Sequence, residues 1–131
     1  MGVFVKSVPI PDDLITTIIS NDTIDYDIPA NSTRTIYSTN IDRVGICIIS
    51  VAMTEETGNA NVSNVRVYVD GTQVAYIYQT GKGTVAVAKA IIPGTKTSTL
   101  EITAQNTNLS YTITAIGKVN VYTLTKDTLQ V

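Results

Sequence analysis

The chain has 131 residues, 44% of them hydrophobic and 15% charged, with 9 basic and 11 acidic side chains, one cysteine and no histidine. That length suits one domain, able to bury roughly two-thirds of its unfolded surface around a single apolar core without disulfides or metal. Without histidine, no Ser-His-Asp or Cys-His nucleophile and no imidazole metal ligand can be built, and one cysteine makes neither a disulfide nor a thiolate cage.

A formal charge of -2 lacks the clustered basic surplus that phosphate binding needs, so no nucleic acid partner is expected. The charge is split along the chain: residues 1–70 balance to -5 and residues 71–131 to +3. That split suits either ordinary solvated loops or a subunit whose acidic and basic flanks meet head to tail. Serine and threonine supply 29 of the 131 residues. Threonine favours pleated structure and keeps an outward face wet without charge, a surface that fits exposure to acid.

In chain order, residues 1–20 come first as an apolar arm or first strand, ahead of a sandwich domain at 21–131. Val3, Phe4, Val5, Val8, Ile10, Leu14, Ile15, Ile18 and Ile19 are interrupted by Pro9 and Pro11, which a central strand does not tolerate. Such an arm needs a cover, and a neighbouring subunit is the expected one, with Val3, Phe4, Val5, Leu14, Ile15, Ile18 and Ile19 at the contact. The start lacks the uninterrupted apolar run of a secretory signal, and Lys6 stands where myristoylation needs Ser or Thr. Synthesis in a cytoplasm is expected. No run of about 18 apolar residues spans a membrane. Within 12–19, Leu14, Ile15, Ile18 and Ile19 fit a helical stripe, yet the β-branched content favours a strand.

Beyond the arm, period-two alternation dominates. Strands are expected at 23–28, 33–38 and 43–53, the last nearly all apolar and so buried on both faces. Val65, Val67 and Val69 alternate with Arg66 and Tyr68 before Asp70-Gly71, a hairpin signal, and 73–78 runs back. Residues 84–92 alternate Val85, Val87 and Lys89 with Ala86, Ala88 and Ala90 up to the Pro93-Gly94 turn. A strand at 96–104 follows, then a long one at 110–125 in which Gly117 is expected to mark a bulge or bend. The count is about eight strands, which is an all-β fold: a single antiparallel β-sandwich of jelly-roll type.

The candidate chemistry is thin. Asp22, Asp25 and Asp27 could gather oxygen ligands for a cation, but the glycine and distal glutamate of a calcium loop are missing. Asp12-Asp13 and Glu55-Glu56 are adjacent pairs, and neighbours on a strand point to opposite faces, so neither converges as an acid/base pair. Thr80-Gly81-Lys82-Gly83-Thr84 lacks phosphate-loop spacing, and Cys47 reads as a small buried hydrophobe. Sequons at Asn21, Asn31, Asn61 and Asn108 fall at expected loops or strand starts, but lie in a chain rich in their component residues. Tyr68, Tyr76 and Tyr78 cluster on one hairpin, as sheet packing or as an exposed contact for sugar or protein. No catalytic, cofactor or metal residue is expected.

The phrase Ile91-Ile92-Pro93-Gly94-Thr95-Lys96-Thr97-Ser98-Thr99-Leu100-Glu101-Ile102-Thr103-Ala104, followed by Tyr111-Thr112-Ile113-Thr114-Ala115-Ile116-Gly117, resembles the closing strands of small viral and phage jelly-roll domains. Ile28-Pro29-Ala30-Asn31-Ser32-Thr33 is similar to an opening strand of such domains. The Ile, Thr and Tyr richness without histidine resembles virion proteins of hyperthermophilic archaeal viruses from hot acid springs, in particular a small tail or adaptor protein of a spindle-shaped virus of the fusellovirus type. That resemblance implies a non-enzymatic virion subunit in a cyclic homo-oligomer, joining other virion structural proteins at an adaptor or nozzle ring. A receptor- or glycan-binding head of a tail fibre or surface filament stays open beside it.

Overall fold

The structure, a computed structural model, describes residues 14–43, 45–55, 62–80 and 84–126. Eight strands carry the alternation: β1 (Leu14–Ile28), β2 (Ser32–Arg43), β3 (Ile46–Glu55), β4 (Val62–Val69), β5 (Thr72–Gln79), β6 (Ala86–Pro93), β7 (Lys96–Asn106) and β8 (Ile113–Lys126). β1 pairs with β8, β2 with β7, β3 with β6 and β4 with β5, all antiparallel, as one long ribbon would pair. The ribbon then wraps so that β8 also joins β3 and β7 also joins β4. Two four-stranded sheets result, β1-β8-β3-β6 and β2-β7-β4-β5, with β1 against β2 and β6 against β5 at the two sides. This is the jelly-roll sandwich expected from the sequence.

Between the sheets, alternate residues interdigitate. Ile24, Ile28, Ile49, Val51, Met53, Ile113, Val119 and Val121 come from one sheet; Ile41, Val65, Val67, Leu100 and Ile102 come from the other, and all are buried. Turn chemistry fixes the register. Asp70 and Gly71 adopt φ of 52° and 81°, the left-handed pair that a tight two-residue hairpin requires. Gly94, at φ 103°, donates its N–H to the Gly45 carbonyl at 2.7 Å, so the β6–β7 turn is tied to the start of β3. The buried Asn106 carboxamide donates to the Ile28 carbonyl at 2.9 Å and the Tyr111 carbonyl at 2.7 Å, closing the β7–β8 loop onto the end of β1.

Three sequence expectations need correction. Residues 43–53 are not one strand: Arg43 ends β2, and Gly45, at φ 69°, precedes β3. Nor is that segment buried on both faces. Cys47, Ile49, Val51 and Met53 point inward, whereas Ile46 and Ile48 face outward because the second sheet covers only one side. Gly117 makes no bulge, since β8 stays in continuous register with both β1 and β3 across it. It stands opposite Met53, and a Cβ there would collide with the Ala52 carbonyl oxygen and the Met53 sulfur. The glycine serves close approach of backbone and side chain.

Gly117→Ala should therefore destabilise the fold by about 1–3 kcal/mol in chemical denaturation, the usual cost of overpacking. Adding Met53→Ala should not restore it, because the Ala52 carbonyl is backbone and cannot move aside. An unchanged midpoint for Gly117→Ala would refute the close-approach account.

Candidate functional site

Each sheet has one face in the core and one outside, and the two outer faces differ in chemistry. On β2-β7-β4-β5 the outside is polar and largely self-satisfied. The Thr35 hydroxyl donates to Glu101 at 3.0 Å, Thr97 to Asp42 at 2.9 Å and Thr99 to Asn40 at 3.2 Å, each across the β2–β7 pairing. Toward β4, Thr33, Asn64, Arg66, Tyr68, Thr103 and Gln105 line a shallow cup of about 200 Å³. Asn64 takes φ 52° where β4 slips register against β7, and its carboxamide donates to Gln105 and accepts from the Tyr76 hydroxyl at 2.5 Å. The Arg66 guanidinium lies 5.8 Å from the Tyr76 ring centroid, and among the described residues it has no carboxylate partner. Of the three tyrosines singled out by sequence, Tyr68 is half-buried, Tyr76 is exposed and Tyr78 is 72% exposed.

The outer face of β1-β8-β3-β6 is apolar at one end. Ile18, Tyr122, Ile48 and Ile91 stand in register, one per strand, across all four strands. The next row toward the start of β1 continues with Leu124, Ile46 and Pro93. Ile18 is 69% exposed and Ile91 70%. β6 partly inverts the usual arrangement: Ala86, Ala88 and Ala90 turn inward ahead of Ile92, while Val87 and Ile91 face out. Beside the apolar row runs a groove of about 400 Å³ lined by Ile18, Ser50, Lys89, Asn120 and Tyr122.

Among the expected contact residues, Val3, Phe4 and Val5 lie outside the described residues. Leu14 and Ile15 belong to β1, paired with Lys126 and Thr125 of the same chain. Ile18 faces out beside Tyr122, and Ile19 packs against the core. The structure thus joins Ile18 to Ile48, Ile91 and Tyr122, which sequence reading did not single out. The available signal was the pattern of 85–91, whose larger side chains fall on the face opposite the alanines.

Catalytic or cation chemistry gains nothing. No group of three or more Cys, Asp or Glu able to hold a metal occurs among the described residues, and no helix there is long and apolar enough to cross a membrane. Glu55 is buried at the end of β3, and Glu56 and residues 81–83 lie outside the described residues. Burial pushes the Cys47 thiol up, against a smaller opposing pull from Arg43. Of the sequons, Asn21 sits inside β1 rather than at a loop or strand start, and the side-chain amide oxygen of Asn108 accepts from the Ser110 and Tyr111 N–H groups.

The carboxylates instead fasten the sandwich. Asp22 accepts from the Tyr37 hydroxyl and from Ser20 at 2.9 Å, bridging the edge strands β1 and β2; these bonds hold its carboxyl below the ordinary value of 3.8. Burial, and then the carboxylate, raises Tyr37 in turn. Asp70 accepts from the Thr99 N–H at 2.9 Å and from Ser98 at 2.8 Å, with Lys96 at 3.3 Å, and its carboxyl is likewise lowered, chiefly by the Thr99 N–H. Ser98 also accepts from the buried Arg43 guanidinium at 2.9 Å, which reaches the Pro93 carbonyl at 3.1 Å.

No protein-family model matches the sequence, and no curated protein is similar to it by sequence. By structure the chain is similar to the VP2 subviral particle of infectious bursal disease virus, with a TM-score of 0.52 and 19% identity over 84% of this chain and 32% of that one. A structure of the Gt strain of the same virus matches at a TM-score of 0.49 and 17% identity, over 86% of this chain and 32% of that one. The chain therefore spans about a third of the length of these viral chains, and the likeness is one of fold.

Because both fastening carboxylates titrate below 3.8 when folded, their contribution is intact at neutral pH and is lost as pH falls through the lowered values. Asp22→Asn/Asp70→Asn should melt below the unaltered protein at about pH 6, with the gap narrowing as the pH falls below 3.8. A gap independent of pH would contradict this.

Proposed function

We propose that the chain is a non-enzymatic structural subunit of a virion, a jelly-roll domain that assembles with copies of itself and with other virion proteins. The finer form of the reading is a cyclic tail-adaptor or nozzle subunit of an archaeal, spindle-shaped virus. The observation that carries the assembly reading is the register-aligned row Ile18, Tyr122, Ile48 and Ile91, apolar area that the chain's own second sheet does not reach. Three further features support it. A region of similar fold lies in the VP2 chain of a viral particle, and the threonine-rich, histidine-free composition fits exposure to acid. The uneven charge along the chain suits head-to-tail packing around a ring.

Light scattering on the full chain at micromolar concentration should give a discrete oligomer. A monomer under those conditions would overturn the reading.

The second reading, a glycan-binding head, is favoured by one observation: the cup on the opposite face combines Arg66, which has no carboxylate partner among the described residues, the amides of Asn64 and Gln105, and neighbouring tyrosine rings. Amides and hydroxyls pair with sugar hydroxyls, and an aromatic ring covers their apolar faces. A glycan array should then show binding that Arg66→Ala, Tyr76→Ala or Tyr78→Ala weakens about tenfold or more, the range for losing one well-placed contact. An array blank for the unaltered protein would remove this reading.

A further inference from the structure

We propose that the groove beside Ile18 and Tyr122 receives the N-terminal segment Val3–Ile10 of a second copy of this chain. This rests on the assembly reading and names its contact.

The first argument is position. Residues 1–13 join the described chain at Leu14, the end of β1 next to the apolar rows. Ile18 lies four residues along, roughly 13 Å at strand rise. The segment carries Val3, Phe4, Val5, Val8 and Ile10, apolar side chains of a size to fill a groove of about 400 Å³ whose walls include Ile18 and Tyr122. The second argument is mode of contact. Pro9 and Pro11 have no N–H to donate, so the segment is poorly suited to extend the free edge of β1 and better suited to laying side chains onto a face. The third is charge. Lys89 stands at the groove, while Asp12 and Asp13 adjoin the segment, a complementary pairing across the contact.

The choice of a second copy follows from the route. A residue before proline is disfavoured in the α region, so the types at Val8 and Ile10 oppose a tight fold-back and leave Asp12-Asp13 as the place for a reversal if the segment is to cover its own sheet. A two-residue reversal there would need positive φ at both positions, and Asp12-Asp13 lacks the glycine that follows Asp70 in the β4–β5 hairpin. A segment that kept the line of β1 would leave its own sheet and could reach a neighbour. Arm and groove are different surfaces, so two copies can exchange arms about a two-fold, or copies can dock head to tail and form a ring where the rotation closes.

The test uses the full chain. Cys47 is fully buried and stays out of the chemistry. A Phe4→Cys chain with one tag is coexpressed with an Ile91→Cys chain carrying another and gently oxidised. A disulfide-linked pair bearing both tags is expected. Ile91→Lys, at a site 70% exposed, should weaken self-association on the order of tenfold or more with the β spectrum unchanged, whereas Tyr78→Lys on the other sheet should not. If light scattering still shows the oligomer but no mixed pair forms, the docking is overturned and assembly stands. If the Phe4→Cys/Ile91→Cys chain closes only within itself, the second copy is overturned in favour of the chain's own arm. A monomeric unaltered protein overturns both.

Discussion

Everything in this molecule follows from the fact that two stacked sheets can hide only one face of each. A pleated strand sends alternate side chains to opposite sides, so each strand must place one set in the shared core and the other against solvent or a partner. β7 meets that demand by chemistry: Ser98, Leu100, Ile102 and Ala104 turn inward while Thr97, Thr99, Glu101 and Thr103 turn out. β3 and β6 do not. Ile46, Ile48, Val87 and Ile91 leave apolar area on the outside of a sandwich that is already closed within.

The threonine coat is consequently uneven. On β2-β7-β4-β5 the hydroxyls pair with Asp42, Asn40 and Glu101 across strands, so that face satisfies its own polar groups and gains some cross-strand support. The opposite sheet concentrates its large aliphatic side chains in two neighbouring rows and places Ser50, Asn120 and Lys89 in the next row. One face is thus fit to stay wet and the other to be covered. That asymmetry is the feature on which the proposed assembly rests.

Much of the fold was legible because period-two alternation and turn residues are local signals. Asp70-Gly71 and Pro93-Gly94 mark their turns correctly, and Leu100 and Ile102 fall on the core face as their alternation predicts. The misreadings share a different cause. The apolar run from Ile46 to Val51 looks buried on both faces because hydrophobicity cannot state whether a second layer exists. Gly117 looks like a bend because the Met53 side chain that occupies its space comes from a strand some sixty residues earlier. The row through Ile18, Tyr122, Ile48 and Ile91 depends on three strand registers at once, which no single segment encodes.

The row also depends on one irregularity. From Ile28 back to Ser20, even-numbered residues of β1 face the other sheet, and this lets Asp22 and Ser20 meet Tyr37. Strict alternation would carry Ile18 inward as well. The register instead shifts between Ile18 and Ser20, so Ile19 takes the inward role and Ile18 emerges opposite Tyr122. A one-residue bulge reverses the facing of everything beyond it, and two adjacent isoleucines suit it, one for each side. The same pair made residues 14–19 look helical, since Leu14, Ile15, Ile18 and Ile19 mimic a 3.6-residue stripe. What reads as an ambiguous period in the sequence is, in the fold, the register shift that turns Ile18 from the core side to the outer face of an edge strand.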